Sequence, residues 1–178
     1  MINRKLDVNE LGRISTEEYK NSVKHPIIIV LDNIRSLHNI GSVFRTADAF
    51  FIENIYLCGI CATPPHNEIH KSALGAEDSV PWKYFNETSE AIKTLQENEF
   101  TLIAIEQTEK SISLEKFAID KTKKYALIFG NEVKGIQQEV VNRCDYSIEI
   151  PQFGTKHSFN ISVSAGIVLW EWYRQWIQ

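Results

Sequence analysis

The chain is poor in cysteine, proline and glycine, with three, five and eight in 178 residues, and it has no long apolar run. Its longest purely apolar stretch, IIIVL at 27–31, falls far short of the roughly 20 residues that cross a bilayer. The opening MINRKLDVNE lacks the apolar core of a secretory signal. A soluble, cytoplasmic protein is expected, with no membrane partner. Three cysteines are an odd number in a chain large enough to fold without staples, so Cys58, Cys61 and Cys144 read as reduced thiols. No repeat, low-complexity tract or Pro/Gly/Ser linker divides the chain, which excludes a solenoid and a second full domain. Neither G-x-G-x-x-G nor G-x-x-x-x-G-K-[ST] occurs, so the usual dinucleotide and P-loop readings lose their support. A net charge of −4 argues against a passive nucleic-acid coat, because phosphate neutralisation dominates such binding. A local basic patch remains compatible with it.

What is present is a core-forming pattern, 43% hydrophobic and 24% charged. β-Branched runs at 27–31, 55–58 (IYLC), 101–105 (TLIAI), 125–129 (YALIF) and 146–150 (YSIEI) predict five buried strands. Helical spacing is found between them at 40–50, 88–98, about 135–143 and 160–177. The alternation predicts an α/β fold, a mostly parallel sheet with helices on both faces. Ser15 and Glu18 stand at capping-box spacing within an expected N-terminal helix over 9–23. Segments 60–82 and 106–120 are expected to be loops with short elements.

CGICATPPHNEIH (58–70) collects Cys58, Cys61, His66 and His70, all zinc-type ligands. Only four residues separate Cys61 from His66, whereas a zinc finger needs about twelve to fold between its pairs. Buried thiols are the plainer reading, and no metal is expected. Three other segments carry more chemistry. LHNIGSVFRTADAF (37–50) places Asn39 in a loop and Arg45 on a helix that is otherwise apolar or small; judged alone, Arg45 either snorkels or pairs with Asp48. ALIFGNEVKGI (126–136) ends a strand in Gly130-Asn131-Glu132. IPQFGTKHSFN (150–160) precedes the last helix, where Gly154 permits a turn and Ser158 or Asn160 offers a cap. The last two leave the carboxyl ends of strands, where open α/β sheets bind ligands.

NIGSVFRTA, FGNEVKG and IPQFGTKHSFN resemble, in order and spacing, the three motifs of the SpoU/TrmH family. That family belongs to the SPOUT superfamily of S-adenosylmethionine-dependent RNA 2′-O-ribose methyltransferases. SALGAEDSVPW (72–82) adds to the likeness, which covers about residues 26–175. Phe51, Phe159 and Gln152 depart from the family's usual glycine, leucine and methionine. The resemblance implies a SPOUT-type fold with a C-terminal trefoil knot, an N-terminal extension at 1–25, a methyltransferase domain at 26–178, and a homodimer. It implies S-adenosyl-L-methionine as methyl donor and RNA as substrate. Asn39, Arg45, Glu132, Ser158 and Asn160 become the catalytic and substrate-orienting set; Ile105, Gly130, Ile150, Ser158 and Phe159 become the donor contacts. Some relatives acting on rRNA carry a separate N-terminal RNA-binding domain, for which the first 25 residues have no room, so tRNA is the expected substrate. The alternatives are the same chemistry on rRNA, or a non-catalytic RNA-binding or assembly factor. Lys121, Lys123, Lys124, His66, His70, Lys71, Lys134 and Lys156 are the candidate phosphate contacts. The aromatic end of the last helix, Trp170, Trp172, Tyr173 and Trp176, is expected in the core or the dimer interface.

Overall fold

A computed structural model describes residues 3–178. Seven strands form one parallel sheet: β1 (His25–Asp32), β2 (Ile52–Cys58), β3 (Trp82–Phe85), β4 (Phe100–Ile105), β5 (Ile112–Ser113), β6 (Lys124–Gly130) and β7 (Tyr146–Glu149). Their order is β3-β2-β1-β6-β4-β7-β5, with every pair parallel. β3 and β5 were not expected. Both are short edge strands with one neighbour each, and neither has the apolar run that a strand buried on two sides requires.

The period of two sorts the central strands between two cores. Ile27, Ile29 and Leu31 of β1 join Tyr125, Leu127 and Phe129 of β6 on one face, while Ile28 and Val30 join Ala126 and Ile128 on the other. The first face is covered by α1 (Thr16–Asn21), α2 (Leu37–Ala49), α3 (Asn67–Ala73), α4 (Ala76–Ser79) and α7 (Ile161–Trp176); the second by α5 (Thr88–Glu97) and α6 (Gln138–Val141). Among the described residues no helix is long and apolar enough to cross a membrane.

Several boundaries differ from expectation for local reasons. The Ser36 hydroxyl accepts a bond from the Asn39 N–H at 3.2 Å, so α2 starts at Leu37 and Asn39 lies in its first turn rather than in a loop. The Ser15–Glu18 capping box forms, but α1 is only six residues long. A 3-10 turn at Val8–Leu11 precedes it, ended by Gly12 in the left-handed region. The helix expected at 135–143 shrinks to α6. Gly154 has an ordinary φ and nothing within 4 Å of a notional Cβ, so no backbone demand accounts for it.

Two other motif positions have clear packing roles. A Cβ on Gly41 would run into Ser72 Oγ and the Ile69 carbonyl, so α3 rests directly on the α2 backbone. Phe51, where relatives often have glycine, holds φ +57° and packs against Tyr19 with the rings tilted and their centroids 4.7 Å apart. The Tyr19 hydroxyl in turn donates to the Ile52 carbonyl at 3.2 Å. Phe51 thus meets this chain's own N-terminal segment.

Gly41→Ala is expected to destabilise the fold by about 1–3 kcal/mol through overpacking, whereas Gly154→Ala should stay within about 0.5 kcal/mol of the parent. Urea denaturation of the two variants measures both.

Candidate functional site

The chain runs outward from β1 through β2 and β3, then crosses back to build β6 and β4 on the other side of β1. Such a reversal opens a crevice at the strand carboxyl ends. The last residue of β1, Asp32, is a carboxylate only 1% exposed, buried beside the crevice rather than lining it. One oxygen, Oδ1, accepts from Thr88 Oγ1 (2.6 Å), Asn33 Nδ2 (2.8 Å) and Gln137 Nε2 (2.9 Å); the other, Oδ2, accepts from the Gln137 N–H (3.0 Å). A buried charge is tolerable only when bonded this fully. Asp32 therefore joins the end of β1 to the start of α5 and to the segment after the second motif.

The second-motif loop closes tightly. Gly135, at φ +67°, donates its N–H to the Asn131 carbonyl at 2.8 Å, and the Asn131 side chain donates to the Asn33 carbonyl at 3.0 Å. A Cβ on Gly130 would fall inside the backbone of Gly135 and Ile136. Gly130 is therefore demanded by loop closure itself. The matching position on Gly135 is taken by the Glu106 carboxylate, which accepts the Ile136 N–H at 3.0 Å. Gln107 Nε2 donates to the His157 carbonyl at 3.0 Å and ties in the third-motif loop.

Between these loops lies a cavity of about 920 Å³. Ile105, Gly130, Ile150, Ser158 and Phe159 all line it, as does Glu132. Asn39 and Asn160 reach its edge through hydrogen bonds. Asn160 caps α7, its Oδ1 accepting from the Ser162 N–H (2.9 Å) and hydroxyl (2.6 Å). Asn160 Nδ2 donates to Asn39 Oδ1 at 3.1 Å, and Asn39 Nδ2 donates to Glu132 Oε1 at 2.5 Å. One directed chain of bonds thus connects the third motif to the first and the first to the second. Arg45 stands apart, exposed on α2, with no hydrogen bond or ion pair among the described residues. It does not pair with Asp48, whose carboxyl is pushed up by burial and pulled back by Arg13.

The family model described as the SpoU rRNA Methylase family matches residues 26–170. The chain belongs to the SpoU family. It is 30% identical over 156 residues to the 23S rRNA (guanosine-2′-O-)-methyltransferase RlmB of Neisseria meningitidis, covering 88% of this chain and 61% of that one. It is 29% identical to the tRNA (guanosine(18)-2′-O)-methyltransferase of Aquifex aeolicus, covering 84% and 69%. The AdoMet-bound rRNA methyltransferase of Sinorhizobium meliloti superposes with a TM-score of 0.78 at 26% identity, over 93% of this chain and 62% of that one. This SpoU chain spans about three-fifths of the length of the first curated relatives it matches.

Two acidic groups of the SpoU site, Asp32 and Glu106, are absent from the motif-based set. The rule that picked out Gly130, applied to the strand ends near 31 and 105, points to both. The lysines divide by position. Lys121, Lys123 and Lys124 lie at or before the amino end of β6, on the far side of the sheet from the cavity. His66 accepts the Glu68 N–H and caps α3, while His70 and Lys71 are engaged with Glu77 and Glu68. Lys134 lines the cavity, and Lys156 is exposed on the third-motif loop. Burial pushes the Cys58 thiol up, and the Cys61 thiol up to about 11; Cys61 Sγ also accepts the Ile34 N–H at 3.1 Å. No group of three metal-type ligands gathers among the described residues.

Asn39→Asp keeps the side-chain shape but sets a carboxylate against that of Glu132. Its melting temperature is expected to fall below that of the parent at pH 8, with the gap narrowing near pH 5 as the pair takes up a proton. Thermal melts of both proteins across that range check it.

Proposed function

We propose that this chain carries an S-adenosylmethionine-dependent RNA 2′-O-ribose methyltransferase, acting in the cytoplasm with tRNA as the favoured substrate. The observation that carries the reading is the bond chain Asn160–Asn39–Glu132 running along the edge of a cavity large and mixed enough in character for the donor. Apolar walls at Ile105, Ile150 and Phe159 suit an adenine, and the backbone of the Gly130 and Gly135 turn offers polar groups close by. When bound, the donor supplies an electrophilic methyl group on a sulfonium. Both kinds of RNA occur among the relatives, tRNA for the Aquifex aeolicus enzyme and 23S rRNA for the Neisseria meningitidis enzyme. Three free cysteines with no disulfide among the described residues are compatible with a reducing compartment.

The residues divide the work by chemistry. A guanidinium with a pKa above about 12 is a poor base. Arg45 instead donates charge-assisted bonds to the target phosphate and to the oxyanion that develops on the ribose, while the proton passes to a phosphate oxygen or water. Asn39 and Asn160, locked by their mutual bond, orient the ribose; Ser158 at the cavity wall orients donor and acceptor together; Glu132 holds Asn39 in its rotamer.

A homodimer belongs to the same proposal, as do residues 1–25 as an extension beside the 26–178 domain and the knotted threading of the second- and third-motif loops. The dimer reading rests on the outer stripe of α7, where Val163, Trp170 and Ile177 are exposed and Gly166 has open space at its Cβ position. Trp170 lies beside Phe50 at the end of α2, which continues the same apolar face.

Labelled donor incubated with total tRNA and, separately, total rRNA is expected to mark a ribose 2′-oxygen in the tRNA. Label in neither RNA, with the donor bound, would leave a non-catalytic RNA-binding or assembly factor. Arg45→Ala is expected to keep donor affinity within about twofold while single-turnover methylation falls by roughly 10²–10⁴. Calorimetry and rapid-quench rates measure the two quantities separately; loss of donor binding in a folded Arg45→Ala protein would refute the acceptor-side role. Sedimentation at micromolar concentration is expected to give a dimer.

A further inference from the structure

The Glu106 carboxylate is built into the cavity wall in a way that none of the three motifs records. It is the first residue beyond β4 and half-buried. Glu106 Oε2 accepts the Ile136 N–H at 3.0 Å, and Oε1 accepts the Gln107 N–H at 3.0 Å. Its Oε2 occupies the place a Cβ on Gly135 would take, and the φ of +67° at Gly135 disfavours a side chain there in any case. Two backbone donors fix the orientation of the carboxylate, yet no cation neutralises it: Glu106 has no ion pair among the described residues. Each carboxylate oxygen keeps a further lone pair for a ligand.

The charge around it is acidic on balance. Glu106, Glu109, Glu132 and Glu149 line the cavity against Lys110 and Lys134, an excess of two negative charges. Glu109, Glu132 and both lysines are exposed, so their charges are screened by salt. Glu106 is held in place and partly removed from water, so its field inside the cavity is the least screened.

Building on the donor-site reading above, we propose that Glu106 is a specificity-determining residue that makes the cavity favour the sulfonium-bearing donor over its demethylated product. Donor and product share adenine, ribose and amino-acid groups and differ in a methyl and in the charge on sulfur. A fixed carboxylate separates them by that charge. The neutral thioether then leaves more readily than the cation binds, which relieves product inhibition without weakening the groups that recognise adenine.

The test is calorimetric binding of S-adenosylmethionine and S-adenosylhomocysteine to the parent and to Glu106→Gln, which keeps a carbonyl acceptor for one of the two N–H groups. The parent is expected to bind the donor about three- to tenfold more tightly than the product at low salt. In Glu106→Gln that ratio should fall to near one, through weaker donor binding with product affinity changed less than about twofold. Equal weakening of both ligands would show a role in holding the loop alone and overturn the proposal. If Glu106→Gln fails to fold, the parent decides: its donor-to-product ratio should shrink as salt rises from about 0.05 to about 0.5 M, and a flat ratio refutes the charge mechanism. A parent that binds neither ligand overturns the functional reading itself, and this inference with it.

Discussion

The Asp32 carboxylate is the constraint on which the rest of the site depends. It ends β1, an interior strand, where two parallel neighbours cover its edges and both sheet faces are dry. A charge in that position must collect every donor within reach, and it does so from Asn33, Thr88 and Gln137. Removing one partner of such a buried cluster typically costs on the order of 1–3 kcal/mol, because the remaining polar groups lose a bond without regaining water. The position of the segment after the second motif is therefore set by the end of β1, far away in sequence.

Loop closure adds a second layer of rigidity. Gly130, Gly135 and Glu106 fill one another's space so completely that the turn has a single arrangement. Asn131 secures it to Asn33, and Gln107 extends the connection to His157 in the third-motif loop. Upon this frame the bonds Asn160 to Asn39 and Asn39 to Glu132 all run in one direction and end on a carboxylate. Each amide has one defined orientation, which is what the ribose-placing role proposed for this pair would require. Arg45 is the contrast: exposed on the helix surface, it has no hydrogen bond or ion pair among the described residues.

The N-terminal segment and the last helix divide the outer surface between them. Tyr19 covers Phe51 and bonds the Ile52 carbonyl, with the Lys24 ammonium 4.9 Å above the Tyr19 ring. That closes one end of α2. α7 buries Ala165, Val168, Leu169 and Trp172 while presenting Val163 and Trp170 outward, with Ile177 exposed at its C-cap. The aromatic end of the helix is thus split, one tryptophan in the core and one on the face assigned to a second copy.

The sequence by itself determined the fold class, the five central strands and the three segments that meet at the cavity. Those signals are local: a β-branched run reports burial on both faces, and a motif reports residue types at fixed spacing. Ile105, Gly130, Ile150, Ser158 and Phe159 could therefore be named before their meeting place was known. Only the tertiary structure decided why Gly41 and Gly130 are glycines, since the atoms they avoid, in Ser72 and Ile69 for one and Gly135 and Ile136 for the other, belong to separate elements. It alone moved Asn39 into a helix, gave Phe51 an intrachain partner, and set Lys121, Lys123 and Lys124 at the opposite end of the sheet from the cavity. The importance of Asp32 and Glu106 was hidden for the same reason. Each is one ordinary acidic residue in sequence, and its role arises from donors that sit up to 105 residues away in the chain and are brought within 3.0 Å only when the strands pair.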